Sequence, residues 1–154
     1  MRKEQQTYFK AMNKILVALP RFLLGFILFA SGLAGLLHLI PAQPMEGSGA
    51  LFMTGLGGSY LITFVKLTEV ATGALLLSNR FVPLALVIAA PVLLNIAAFH
   101  AFYAPSGLAV PTVMLASALF LAWKHRSAYS ALLTTKHEMV ADDARAGGLS
   151  TASR

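Results

Sequence analysis

The sequence predicts an all-α integral membrane protein, a bundle of four membrane-crossing helices with an N-terminal interfacial helix and a disordered C-terminal tail. Three observations predict it. The first is composition: 57% of the 154 residues are hydrophobic, only 12% are Asp, Glu, Lys or Arg, and the mean hydropathy is +0.72. That is about half the charge a soluble domain uses to coat itself. The second is spacing, since four apolar runs of about the length a bilayer requires are separated by short turn-forming segments. The third is the placement of the basic residues, which favours one side of such a bundle.

The elements follow in order. Residues 1–20 begin polar and basic, then place Tyr8, Phe9, Met12, Ile15, Leu16 and Leu19 on one helical face with Lys10 and Lys14 opposite. This pattern fits a helix lying in the membrane interface, or a plain cytosolic lead-in. Pro20 is expected to interrupt that helix or bend it into the bilayer. A membrane domain over 21–133 follows, with spans at 22–40, 59–78, 81–103 and 108–123. The first run is longer than the 7–15 apolar residues of a signal core, so a retained span is expected rather than a cleaved leader. Residues 41–58 read as the longest loop, with Leu51-Phe52-Met53 touching the interface and Gly55-Leu56-Gly57-Gly58 as a flexible turn. That glycine cluster lacks the Lys of a phosphate loop. Asn79-Arg80 and Ala104-Pro105-Ser106-Gly107 read as tight turns. The tail, 134–154, loses its apolar pattern and is expected to be disordered.

Eleven of the twelve basic residues fall before span one, between spans two and three, or after span four, and the twelfth, Lys66, lies inside a span. The loops 41–58 and 104–107 hold none. The positive-inside rule then puts both termini in the cytoplasm. Topology accounts for the net charge of +6, so no basic surface is left to suggest nucleic acid; the partner expected is the lipid bilayer. The chain has no cysteine, which excludes disulfides, thiolate nucleophiles and iron–sulfur ligation. It shows no metal-ligand spacing, nucleophile motif or dinucleotide fingerprint.

Lys66 and Glu69 are the most informative residues. Three apart, they share a helix face. Each ion costs about 2.5–3.5 kcal/mol at a span centre, while Leu, Ile, Phe and Val return about 0.3–0.6 kcal/mol each. The nine such residues of span two leave the sum near zero or unfavourable, so this span needs its neighbours. One reading is a proton, ion or quinone site; the other is a structural ion pair that fixes register. Asn95, at a similar depth in span three, is expected either to bond to the pair as part of a buried polar site or to stitch two helices together. His38 and His100 lie near the outer ends of spans one and three. A bis-His haem site or a quinone headgroup bonded by imidazole is weighed against two interfacial histidines that cap loops, and no haem motif supports the first. Gly25, Gly32 and Gly35 form a stripe suited to close helix packing. Arg21-Phe22 and Arg80-Phe81 open spans one and three, and the two histidines close them, a faint internal repeat.

These residues also resemble a family. Arg21-Phe22-Leu23-Leu24-Gly25 with Phe29-Ala30-Ser31-Gly32-Leu33 looks like the opening of DoxX-family membrane proteins. Val65-Lys66-Leu67-Thr68-Glu69, Gly73 and Asn79-Arg80-Phe81-Val82-Pro83-Leu84-Ala85-Leu86 are similar to its second and third spans. Pro91-Val92, Asn95-Ile96, Phe99-His100, Pro105-Ser106-Gly107-Leu108 and Leu121-Ala122-Trp123 continue the likeness, which covers about residues 17–130. The resemblance implies a four-helix bundle in a bacterial cytoplasmic membrane. The family takes its name from a membrane subunit of a thiosulfate:quinone oxidoreductase, and other members are linked to redox or stress-response assemblies. This chain departs from it at Ala34-Gly35-Leu36, where the family often has Lys. The function expected is that of a small membrane subunit in a quinone-linked redox or stress-response assembly, with a redox partner or a homo-oligomer and no stand-alone catalysis. The alternatives are a small transporter or permeation protein and a membrane scaffold or assembly factor.

Overall fold

The computed structural model describes residues 2–39, 41 and 44–133, and every regular element among them is helical. The expected disordered tail lies outside the described residues. The elements are α1 (Arg2–Leu36), α2 (Gly47–Gly57), α3 (Tyr60–Leu77), α4 (Val82–Tyr103), a 3-10 turn (Pro105–Gly107), α5 (Ala109–Lys124) and α6 (Arg126–Leu133). The short α6 belongs to a separate unit that begins at His125.

In the first unit α1 packs on α3 and α5, and α4 packs on the same two helices. The four therefore close a ring, α1–α3–α4–α5. Its core is Leu24 and Leu28 of α1, Leu76 of α3, Val82, Ala85, Leu86, Ala89 and Leu93 of α4, and Met114 and Leu121 of α5. The outside is apolar too, with Phe26, Phe64, Leu94 and Leu119 exposed. α1, α3 and α4 are long and apolar enough to cross a membrane. At 16 residues α5 reaches only about 24 Å, short of a hydrocarbon core of about 30 Å.

Two expectations are corrected. There is no separate interfacial helix over 1–20: α1 is one helix of 35 residues with Pro20 inside it. Pro20 cannot donate to the Leu16 carbonyl, but the apolar side chains on both sides keep the helix the better state for every other backbone group in an apolar setting. Nor are residues 47–57 a loop with a flexible glycine turn, because Gly55 and Gly57 lie inside α2. Glycine costs a helix about 1 kcal/mol each. Docking on α4 offsets that cost: the Phe52 ring lies 5.6 Å from that of Phe99 and 6.1 Å from that of Tyr103. A Cβ on Gly49 would stand 3.1 Å from the Tyr103 Cβ, so this glycine marks the close approach.

The helix ends explain the span boundaries. The Ser59 hydroxyl accepts from the Leu61 amide at 3.3 Å and caps α3. At the other end Asn79 takes a left-handed conformation, and Asn79 and Arg80 donate to the Leu76 and Leu75 carbonyls. α1 closes by the same motif, with His38 left-handed at φ 54° and His38 and Leu39 donating to Gly35 and Ala34. Glycine takes this conformation without strain and a β-branched residue takes it badly. His38→Gly is therefore expected to keep or raise thermal stability in detergent, by up to about 1 kcal/mol. His38→Val is expected to lower it by at least as much.

Candidate functional site

The site is assembled where α1 and α3 touch, and glycines set how closely they touch. A Cβ on Gly73 of α3 would lie 2.5 Å from the Phe29 nitrogen and 2.9 Å from the Gly25 oxygen, both backbone atoms of α1. From the α1 side, a Cβ on Gly32 would lie 2.9 Å from the Lys66 carbonyl oxygen and from the Glu69 Cβ. A Cβ on Gly35 would lie 2.6 Å from the Lys66 Cδ, so the lysine stem runs across that glycine. The glycine stripe seen in the sequence is thus the seat of the ion pair.

On that seat the Lys66 ammonium donates to both carboxylate oxygens of Glu69, each at 2.9 Å. The Ser31 hydroxyl, from α1, lies 2.8 Å from Glu69 Oε2 and 3.2 Å from the Leu28 carbonyl. A hydroxyl has one proton, and the shorter, charge-assisted bond takes it, so Ser31 donates to Glu69. Glu69 is 1% exposed and Lys66 22%. The carboxylate is enclosed and holds three hydrogen bonds, while the ammonium keeps an edge at the surface. The arrangement holds a negative charge in an apolar setting by pairing it inside one helix and anchoring it to the next.

A second polar contact joins the same helices. Arg21 of α1 is 8% exposed, and its Nη1 donates to the Leu76 carbonyl and, at 3.3 Å, to that of Leu77. Its guanidinium carbon sits 4.5 Å from the centre of the Phe22 ring. The last carbonyls of a helix have no partner within it and carry the negative end of its dipole. Arg21 meets both needs at the end of α3. In the sequence Arg21 stands as a charge beside the membrane and, with Phe22, as the opening of span one, and neither reading gives it a partner. Its partners lie more than fifty residues away, and nothing local signals them. Ser31 was missed for the same reason.

Asn95 is corrected. It is exposed on α4 and takes no part in a buried site with Lys66 and Glu69. His38 is exposed and closes α1, as described above. His100 is half-buried, and its Nδ1 lies 2.9 Å from the Ile96 carbonyl, to which only a protonated nitrogen can bond. Its Cδ2 edge packs on Gly107, where a Cβ would come within 2.7 Å. Among the described residues no hydrogen bond or ring contact links the two histidines, and no three His, Asp or Glu side chains converge on a common point.

The chain matches no protein-family model, no curated protein and no solved structure.

The unequal burial of the two ions gives an unequal cost of removing each. Lys66→Met leaves an enclosed carboxylate with Ser31 alone and is expected to cost about 3–5 kcal/mol of stability. Glu69→Gln keeps an acceptor for both neighbours and is expected to cost only about 1–3 kcal/mol. The double variant Lys66→Met, Glu69→Leu should be more stable than Lys66→Met alone. Thermal unfolding of the purified variants in one detergent reads all three. Arg21→Met, which strips the Leu77 carbonyl of its side-chain donor, should cost about 1–3 kcal/mol in the same assay.

Proposed function

We propose that the chain is a four-span protein of a cytoplasmic membrane, with both termini on the cytoplasmic face. In this reading it is a DoxX-like membrane subunit of a quinone-linked redox or stress-response assembly and does no chemistry alone. The observation that carries the reading is the Lys66–Glu69–Ser31 cluster. Ionised groups inside apolar helices are expensive and mark functional positions more often than structural ones. Here an enclosed carboxylate lies beside an ammonium that keeps an edge at the surface. A membrane-dissolved molecule with a polar headgroup, such as a quinone, would meet that edge from the lipid side.

Supporting the topology, the Arg21 contact sets the point where the basic N-terminal stretch of α1 gives way to its apolar run level with the C-terminal end of α3, so Arg21 and Arg80 share one side. Leu108 adds a residue to the hydrogen-bonded helix of α5, accepting from the Thr112 amide at 3.1 Å, and a span of that length would suit a thin part of a bilayer. The DoxX assignment rests on the sequence resemblance.

Native mass spectrometry of the tagged protein, gently extracted from its own membrane, tests the reading. The expected result is a co-purifying quinone or oxidoreductase subunit whose retention falls at least severalfold in Lys66→Leu. Protein free of both, with Lys66→Leu behaving like the wild type, would overturn it.

A further inference from the structure

Asn95 sits in the outer half of α4 with its carboxamide outside the bundle. The residues that share its face are Leu84, Ile88, Pro91, Ala98 and Phe102, and all of them are exposed. Their spacing alternates four and three. At 100° per residue the six positions fall within an arc of about 80°. This is a heptad seam, the pattern by which one helix packs along another. It is apolar apart from Asn95, and none of the described residues between Met1 and Lys124 covers it.

The carboxamide identifies the occupant. Facing hydrocarbon, its two N–H donors and its carbonyl would go without hydrogen bonds, which an apolar medium penalises heavily. A carboxamide is complementary to itself, since each can donate to the other's oxygen. A second copy of this chain inserts with the same topology and so presents Asn95 at the same depth on a parallel helix. Any other partner would have to place a matching group there by its own design. Pro91 and Ala98 lie one turn to either side of Asn95, so no long side chain holds a second helix away.

We infer that two copies of the chain associate through the exposed α4 seam, Leu84–Ile88–Pro91–Asn95–Ala98–Phe102, with the two Asn95 carboxamides hydrogen-bonded to each other across a twofold axis. The inference rests on α4 crossing a bilayer and is independent of what the Lys66–Glu69 cluster binds. The polar residue sets register, as a single Asn does in a coiled coil. The face it closes is remote from the α1–α3 seam, so a dimer leaves the ion pair where it is.

The absence of native cysteine permits a direct test on the full chain in liposomes. Single cysteines replace Ala98 on the seam and Phe64 on the exposed side of α3, and each variant is oxidised at low protein-to-lipid ratio. Ala98→Cys should give a covalent dimer and Phe64→Cys should not. Counting fluorophores per particle on labelled protein should then show that Asn95→Leu weakens dimerisation about 5- to 30-fold, equivalent to about 1–2 kcal/mol for a hydrogen bond between membrane helices. Leucine in place of an exposed Asn removes a polar group from lipid, so this variant should insert at least as well as the wild type. An inserted chain that stays monomeric, or crosslinks through Phe64→Cys instead, would overturn the pairing alone. A chain that alkali strips from the vesicles would overturn the membrane reading, and the pairing with it.

Discussion

The approach of α1 to α3 at near-backbone distance determines where the charged groups of this bundle can be. Between helices in lipid there is little hydrophobic drive, because the lipid tails are as apolar as the side chains. Close packing and hydrogen bonds must hold the helices together. Gly25, Gly32 and Gly35 on one side and Gly73 on the other bring the two backbones together. At that distance the short arm of Ser31 reaches Glu69. One methyl group at Gly73 would push Phe29 away and with it the turn that carries Ser31. The glycines come first in the causal order and the polar contacts depend on them.

Two fasteners then fix the pair. Arg21 grips the end of α3 at Leu76, and about 10 Å along α3, over the seven residues from Leu76 to Glu69 at about 1.5 Å each, Ser31 grips Glu69. Two points of attachment at different heights prevent both sliding and rotation, which one alone would not. This is also how a marginal α3 becomes tolerable: its two ions are paired and its last carbonyls find a donor within the protein. On α4 the solution is different. Its inward face, Val82, Ala85, Leu86, Ala89 and Leu93, carries no polar side chain, so the bundle interior asks nothing of Asn95.

What was legible in the sequence follows from the range of the forces involved. The bounds of the second to fourth apolar runs fall within a residue of α3, α4 and α5, because apolar composition and local stop signals at Ser59 and Asn79 define them. The Lys66–Glu69 pairing was legible because three residues on a helix bring side chains together whatever surrounds them. Arg21 and Ser31 were not, since each finds its partner on another helix. The helix over 47–57 was hidden by glycines that favour a loop locally and are overruled by docking on Phe99 and Tyr103. Asn95 was misplaced because α4 is apolar almost all round. Sequence periodicity then cannot say which side faces its neighbours, and only packing decides.

The enclosure of Glu69, 1% exposed, restricts what the cluster can do. The carboxylate already holds two bonds from Lys66 and one from Ser31. By count one lone pair of Oε1 is left over, but the side chain is enclosed, so an outside donor such as a quinone hydroxyl would reach it only after a neighbour moves aside. Releasing Lys66 strands an enclosed anion, which is costly, whereas releasing Ser31 costs one hydrogen bond and leaves the charge paired. The cheaper route therefore releases Ser31, whose hydroxyl can turn to the Leu28 carbonyl 3.2 Å away, but a path to the enclosed carboxylate would also need a wider gap between α1 and α3. In the proposed reading, access to the carboxylate would then be tied to the separation of α1 from α3, against the grip of Arg21 on the end of α3.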